Sequence, residues 1–140
     1  MKKLGIIVAG LVLGELGLVG AALAQQPTPY VLKVDAPPAK KGQKAVAKVK
    51  ITPGAGYHMN KEYPTSLVLS SVPAGVTVDK MKLTMKDAAK WTEQEGEFDI
   101  AYTAAEAGKK TVTGEIKFAV CSANTCDPKK SNITFDIDVK

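Results

Sequence analysis

The chain contains no arginine, so all 19 of its basic residues are lysines, set against 14 acidic residues. Arginine is the side chain best suited to bind phosphate or guanine through two parallel hydrogen bonds. Aromatic residues are also scarce, at 6% of the chain. A modest lysine excess with so few aromatic side chains lacks the charge pattern of nucleic-acid-binding proteins. We therefore expect no nucleic-acid partner.

Helical patterns are missing as well. After residue 24, no apolar periodicity of helical type extends beyond a turn or two. Instead, short stretches alternate between apolar and polar residues and are separated by glycine- and proline-rich turns. This pattern predicts an all-β fold, an immunoglobulin-like antiparallel β-sandwich of seven or eight short strands, with a small open barrel as the alternative. The expected extended stretches are residues 30–36, 45–51, 65–71, 76–85, 97–103, 111–120 and 132–139.

The first 24 residues have the pattern of a secretory signal peptide. Lys2 and Lys3 precede an apolar run over residues 4–23, which ends at a small-x-small cleavage site before Gln25. A membrane anchor is the alternative, but Glu15 in the run would cost about 2.5–3.5 kcal/mol at the centre of a bilayer. We expect cleavage, no membrane span in the mature chain, and a periplasmic or secreted location.

The remaining chain has the length of one domain with one core. Residues 25–29 are rich in glutamine and proline and predict an extended leader. Residues 30–140 are expected to form the single β-sandwich domain.

Two cysteines, Cys121 and Cys126, lie in the part expected to be exported. In an oxidising compartment such a pair predicts a disulfide. Closing a loop of about six residues stabilises a fold by only roughly 2 kcal/mol, near the low end for disulfides. A bond between near neighbours at a hairpin tip is also within reach of an incoming thiolate. The spacing leaves two hypotheses open, a structural staple and an exchange-active pair.

The sequence around the pair, Phe-Ala-Val-Cys at 118–121 and Cys-Asp-Pro at 126–128, resembles a known family. This is the disulfide bond corrector family, the N-terminal periplasmic domain of thiol:disulfide interchange proteins of the DsbD type. The resemblance implies an immunoglobulin-like domain whose cysteine pair takes electrons from a membrane-embedded partner and passes them to exported thiol proteins. In this chain those partners, a membrane thiol reductant and other exported thiol–disulfide proteins, would act in trans.

The same resemblance implies roles for individual residues. Cys126 would form the mixed disulfide with a partner, and Cys121 would resolve it. A cap segment at residues 81–94 would shield the pair or contact the partner through Met85 and Trp91. The chain departs from the family in a cysteine spacing one residue shorter and in Asp127, which stands where an aromatic residue is expected after the second cysteine.

Charged residues follow the second cysteine directly. Lys129 and Lys130 would lower the pKa of Cys126, whereas Asp127 would raise it, and the sequence leaves the balance open. No histidine is near the cysteines in the sequence. His58 is the only histidine, and a blue-copper site needs two histidines with its cysteine. We expect neither a metal ion nor a cofactor.

Together these features predict a periplasmic thiol–disulfide exchange module that passes two electrons through Cys121 and Cys126. The alternative is a non-catalytic exported binding sandwich in which the disulfide only pins a hairpin. The two hypotheses differ in whether the bond between the cysteines opens and closes reversibly.

Overall fold

The computed structural model describes residues 28–140. The predicted signal peptide and residues 25–27 of the predicted leader lie outside the described residues. Within residues 28–140, no helix has the length and apolar character needed to cross a membrane. The segment forms β-strands and one short 3-10 turn. The strands are β1 (Tyr30–Asp35), β2 (Lys44–Pro53), β3 (His58–Met59), β4 (Ser66–Ser71), β5 (Val76–Val78), β6 (Lys82–Thr84), β7 (Lys90–Trp91), β8 (Gly96–Ala104), β9 (Gly108–Cys121) and β10 (Cys126–Val139), with the 3-10 turn at Met85–Asp87.

The strands form two antiparallel sheets. The first has the order β1-β2-β8-β5, and β7 also pairs with β8. The second has the order β10-β9-β4-β6, and β3 also pairs with β9. The short strand β3 therefore pairs with the same side of β9 as β4 does. In the other sheet, β7 pairs with the same side of β8 as β5 does. This arrangement is an immunoglobulin-like β-sandwich, which confirms the predicted fold class.

The core lies between the inner faces of the two sheets. In β8 every second residue is buried, because a strand turns alternate side chains to opposite faces. β9 contributes a matching inner face from the other sheet. Burial of these apolar side chains is the main contribution to stability. The largest fully buried residues include Phe98, Ile100, Tyr102, Ile116, Phe118 and Ile137.

The chain between β1 and β2 connects the two sheets. The amide of Ala39 donates a hydrogen bond to the carbonyl of Asp138 at 2.8 Å, and the amide of Lys140 donates to the carbonyl of Ala39 at 2.8 Å. This parallel bridge covers the end of edge strand β10 in the second sheet. The preceding strand, β1, pairs with β2 in the first sheet. Covering an exposed strand edge protects it from pairing with other chains.

Two predicted segments differ from the structure by more than three residues or in the strands that they form. The last strand begins at Cys126 rather than at residue 132. Pro128 is tolerated there because β10 is an edge strand, where a missing amide hydrogen need not break the ladder. The extended stretch predicted at 76–85 is divided between β5 in the first sheet and β6 in the second.

Candidate functional site: the disulfide tip

The disulfide tip consists of Cys121, Cys126 and the turn at residues 122–125. Cys121 ends β9 and Cys126 begins β10, and the two residues are direct partners in the antiparallel register. A disulfide joins them, as predicted, with their Cα atoms 3.9 Å apart. Direct partners in an antiparallel pair place their side chains on the same face of the sheet. The bond therefore lies across the last rung of the hairpin.

The turn at the tip is ordered by its own hydrogen bonds. The amide of Ser122 donates to the carbonyl of Thr125 at 2.7 Å. The Ser122 hydroxyl oxygen accepts hydrogen bonds from the amides of Asn124 and Thr125, each at 3.3 Å. None of these contacts involves a sulfur atom. We therefore expect the two cysteines to stay neighbours when the bond between them is reduced.

The two cysteines differ in their access to solvent. Cys121 is only 4% exposed, whereas Cys126 is exposed. The reason is topological, because β9 has β10 on one side and β3 on the other, while β10 is at the edge of the sheet. A thiolate arriving from outside the protein therefore has easier access to Cys126 than to Cys121.

His58 completes a row across three strands. β3 pairs with β9 so that His58 is opposite Cys121 and Met59 is opposite Val120. Met59 and Val120 are buried in the core, at 1% and 0% exposure. Because neighbouring residues of a strand point to opposite faces, His58 and Cys121 project away from the core. His58, Cys121 and Cys126 therefore form one cross-strand row on the outer face of the second sheet.

The sequence gives no local sign of this row. From the sequence we expect no histidine beside the cysteines, because none is close to them along the chain. The structure brings His58 beside Cys121 through the register of a two-residue strand.

The charged residues that follow Cys126 are directed elsewhere. Asp127 is opposite inward-facing Val120, and its carboxylate is 3.9 Å from the ammonium group of Lys129, which is on the same inner face. Lys130 shares the outer face with Cys126, but the two residues are four positions apart on the strand, which places their backbones about 13 Å apart. Its ammonium group is 3.4 Å from a carboxylate oxygen of Glu115. The balance of lysine and aspartate charges at Cys126 stays a prediction.

The predicted cap residue Trp91 belongs to β7 of the first sheet and packs next to the end of β3. Its ring lies close over Gly96, and its centroid is 5.6 Å from that of Phe98. Its indole nitrogen donates a hydrogen bond to the carbonyl of Asn60 at 3.4 Å. On that side of β3, the amide of Met59 donates to the carbonyl of Glu93 at 2.8 Å. β3 thus lies between the cap segment and β9.

The other predicted cap residue, Met85, begins the 3-10 turn that follows β6. In the second sheet β6 is separated from β9 by β4, so this turn follows the strand farthest from β10. A shielding or partner-contact role for Met85 and Trp91 stays a prediction.

The described residues form no cluster of metal-ligating side chains. Within residues 28–140, no group of three or more histidine, cysteine, aspartate or glutamate side chains is arranged to hold a metal ion. Both sulfur atoms are engaged in the disulfide. The expectation of a site without metal stays a prediction.

No family model matches the chain, and no curated protein matches it. Among solved structures, the chain is similar to AggA, the major subunit of aggregative adherence fimbriae type I from Escherichia coli. The identity is 9%, with 81% of this chain and 97% of that chain covered and a TM-score of 0.39. It is also similar to WR4, a C. elegans MSP family member, at 12% identity, 78% and 97% coverage and a TM-score of 0.41. PapD-like domain 7 of human CEP192 matches at 8% identity, 100% and 96% coverage and a TM-score of 0.37.

At these identities and TM-scores the likenesses carry no information about function. The fold and the site define the class of protein, an immunoglobulin-like sandwich with a disulfide across the last rung of a long edge hairpin.

Proposed function

We propose that the protein is an exported thiol–disulfide exchange module that passes two electrons between a membrane thiol reductant and exported redox proteins. The observation that carries the proposal is the disulfide tip, in which an exposed cysteine is bonded to a buried neighbour on the adjacent strand. A persistent disulfide of this kind belongs to an oxidising compartment, which agrees with the predicted signal peptide and a periplasmic or secreted location.

The exchange begins at the exposed sulfur. The thiolate of a reduced partner attacks Sγ of Cys126, a new disulfide forms between partner and Cys126, and Cys121 leaves as a thiolate. A second thiolate of the partner then attacks the partner's own sulfur in the mixed disulfide and releases Cys126. The partner becomes oxidised, and the module holds two thiols, having gained two electrons and two protons. In the opposite direction the dithiol reduces the disulfide of a second partner.

The resemblance of residues 118–121 and 126–128 to the disulfide bond corrector family supports the same function. It assigns Cys126 to the mixed disulfide and Cys121 to its resolution. The burial of the two residues agrees with this order, since the residue expected to meet the partner is the exposed one.

A non-catalytic binding sandwich is the second candidate. The observation in its favour is the burial of Cys121 and the unbroken pairing of β9 with β10 up to the disulfide. In that case the bond serves only to fasten the edge strand β10 to its neighbour.

Single cysteine variants distinguish the two candidates. We expect Cys121→Ser to form a lasting mixed disulfide through Cys126, both with glutathione disulfide and with the disulfide form of exported thiol–disulfide proteins, because the resolving thiol is missing. The matched variant Cys126→Ser keeps only the buried thiol and should form far less of either product. Mass spectrometry of acid-quenched samples measures both. If Cys121→Ser forms no adduct, the exchange proposal is wrong and the binding sandwich is favoured.

A further inference from the structure

The cross-strand row places the only histidine of the chain beside the less exposed of the two cysteines. Side chains of directly opposed residues in an antiparallel pair have Cβ atoms about 4.5–5.5 Å apart. An imidazole on one of them can therefore reach the sulfur on the other. The exposed position of His58 also allows its ring to exchange protons with water.

Cys121 needs such a neighbour if the pair undergoes exchange. Attack at Cys126 expels Cys121 as a thiolate, at a residue that is only 4% exposed. A buried thiolate is disfavoured by the loss of hydration, and a nearby positive charge or proton donor offsets that cost. A sulfur with a more stable thiolate also leaves faster.

Other charged groups near the row are occupied or face elsewhere. On β10, Asp127 and Lys129 lie on the inner face of the strand. In the loop packed against β3, the carboxylate of Glu93 is 3.9 Å from the ammonium group of Lys61. Within the described residues, His58 is therefore the titratable side chain that shares a rung with Cys121.

We propose that His58 gives and takes the proton of Cys121 during exchange, an inference that rests on the function proposed above. When a partner thiolate attacks Sγ of Cys126, the bond to Cys121 breaks and its electron pair passes to the Cys121 sulfur. The imidazolium of His58 then donates its proton to that sulfur. In the reverse step the neutral imidazole accepts the thiol proton, Cys121 attacks Sγ of Cys126, and the partner leaves as a thiolate.

The test is the rate of reduction of the oxidised protein by dithiothreitol, expressed per dithiothreitol thiolate, from about pH 5 to about pH 8. Because the attacking thiolate is normalised, the profile reports groups on the protein. We expect the wild-type rate to fall by roughly three- to tenfold in one step as pH rises across this range, because Cys121 leaves more slowly as a thiolate that receives no proton.

Three variants test whether His58 causes the fall in reduction rate with pH. His58→Gln should be slow and independent of pH, and His58→Lys, with a fixed positive charge, should be fast and independent of pH. Lys61→Gln, a nearby surface change, should keep the wild-type profile. A role of His58 in folding alone would change the rates without removing the step.

Two results would overturn the inference. A flat wild-type profile, or a step that persists in His58→Gln, shows that His58 does not handle the proton, while the exchange proposal remains. A bond that dithiothreitol does not reduce in the folded protein at any pH overturns both proposals together.

Discussion

The disulfide tip and the cap segment at residues 81–94 are ordered in different ways. At the tip, one covalent bond, one short turn and the ladder between β9 and β10 hold the start of β10 against the end of β9. The cap segment has no covalent link and is instead part of both sheets, because β6 pairs with β4 and β7 pairs with β8. Because the segment has contacts in both sheets, we expect it to keep its place when the disulfide is reduced.

The two halves of β10 also differ in how much apolar surface their inner faces bury. Its second half places Ile133 and Phe135 in the core, whereas Asp127, Lys129 and Ser131 occupy the corresponding inner positions nearer the tip. The first half of β10 is therefore held by its ladder with β9 and by the disulfide, with little apolar burial. Regions of this kind open at a lower free energy than the core. Reduction should let the first half of β10 open more often, while the turn at residues 122–125 still returns Cys126 to its place beside Cys121, and it should leave the cap segment in place.

The largest expected effect is in the cap segment. Trp91→Ala removes a partly buried ring from its contacts with Gly96 and Phe98. We expect a loss of about 2–3 kcal/mol in the free energy of unfolding, somewhat less than for a fully buried tryptophan. Urea denaturation measures it, with Lys86→Ala, an exposed change in the same segment, as the control. Equal stability of the two variants would show that noncovalent packing does not hold the segment.

Removal of the disulfide should have a smaller global effect. The double variant Cys121→Ala with Cys126→Ala should lose roughly 2 kcal/mol, because the bond closes a short loop. Hydrogen exchange should show faster exchange for amides at 126–132, with little change at 133–139 and in the cap segment. Loss of protection throughout the sandwich would contradict the proposed difference between the two regions.

The smallest effect concerns the acid sensitivity of the cap segment. A hydrogen bond from the ammonium group of Lys80, with a second from the amide of Thr84, lowers the pKa of Asp87 from 3.8 to about 2. A lowered pKa in the folded state means that the stabilising contribution is present above 3.8 and is lost as pH falls towards 2. Carboxyl chemical shifts should give a midpoint near 2 for the wild type.

Lys80→Gln provides the control for that titration. Without the ammonium group the Asp87 midpoint should rise towards 3.8, its ordinary value. The disulfide tip should respond to neither the variant nor the acid, since Asp87 lies outside it. An unchanged Asp87 midpoint in the variant would show that this ion pair does not set the pKa.

Strands with one buried face could be predicted from the sequence. In β8 the apolar residues Phe98, Ile100 and Tyr102 alternate with outward-facing ones, and the pattern alone locates the strand. The two-residue strands β3 and β7 have too few residues for any period, so they depend on pairing with longer strands. Pro128 concealed the start of β10, because only the sheet order shows that this strand is at an edge.

One part of the candidate site could be predicted from the sequence and another part could not. The disulfide could be predicted because Cys121 and Cys126 are close in the chain and lie between two segments with strand patterns. The position of His58 could not, because it depends on the register between segments far apart in the sequence. Such a register follows from the packing of the whole sandwich rather than from a local pattern.

The reduction potential of the pair tests the central claim most directly. It is measured by equilibrating the folded protein in glutathione redox buffers and quantifying the thiols of Cys121 and Cys126 after acid quenching. An exchange-active tip predicts a value between about −270 and −120 mV, the range of thiol–disulfide exchange proteins. A value below about −300 mV, typical of structural disulfides in secreted proteins, would contradict the account.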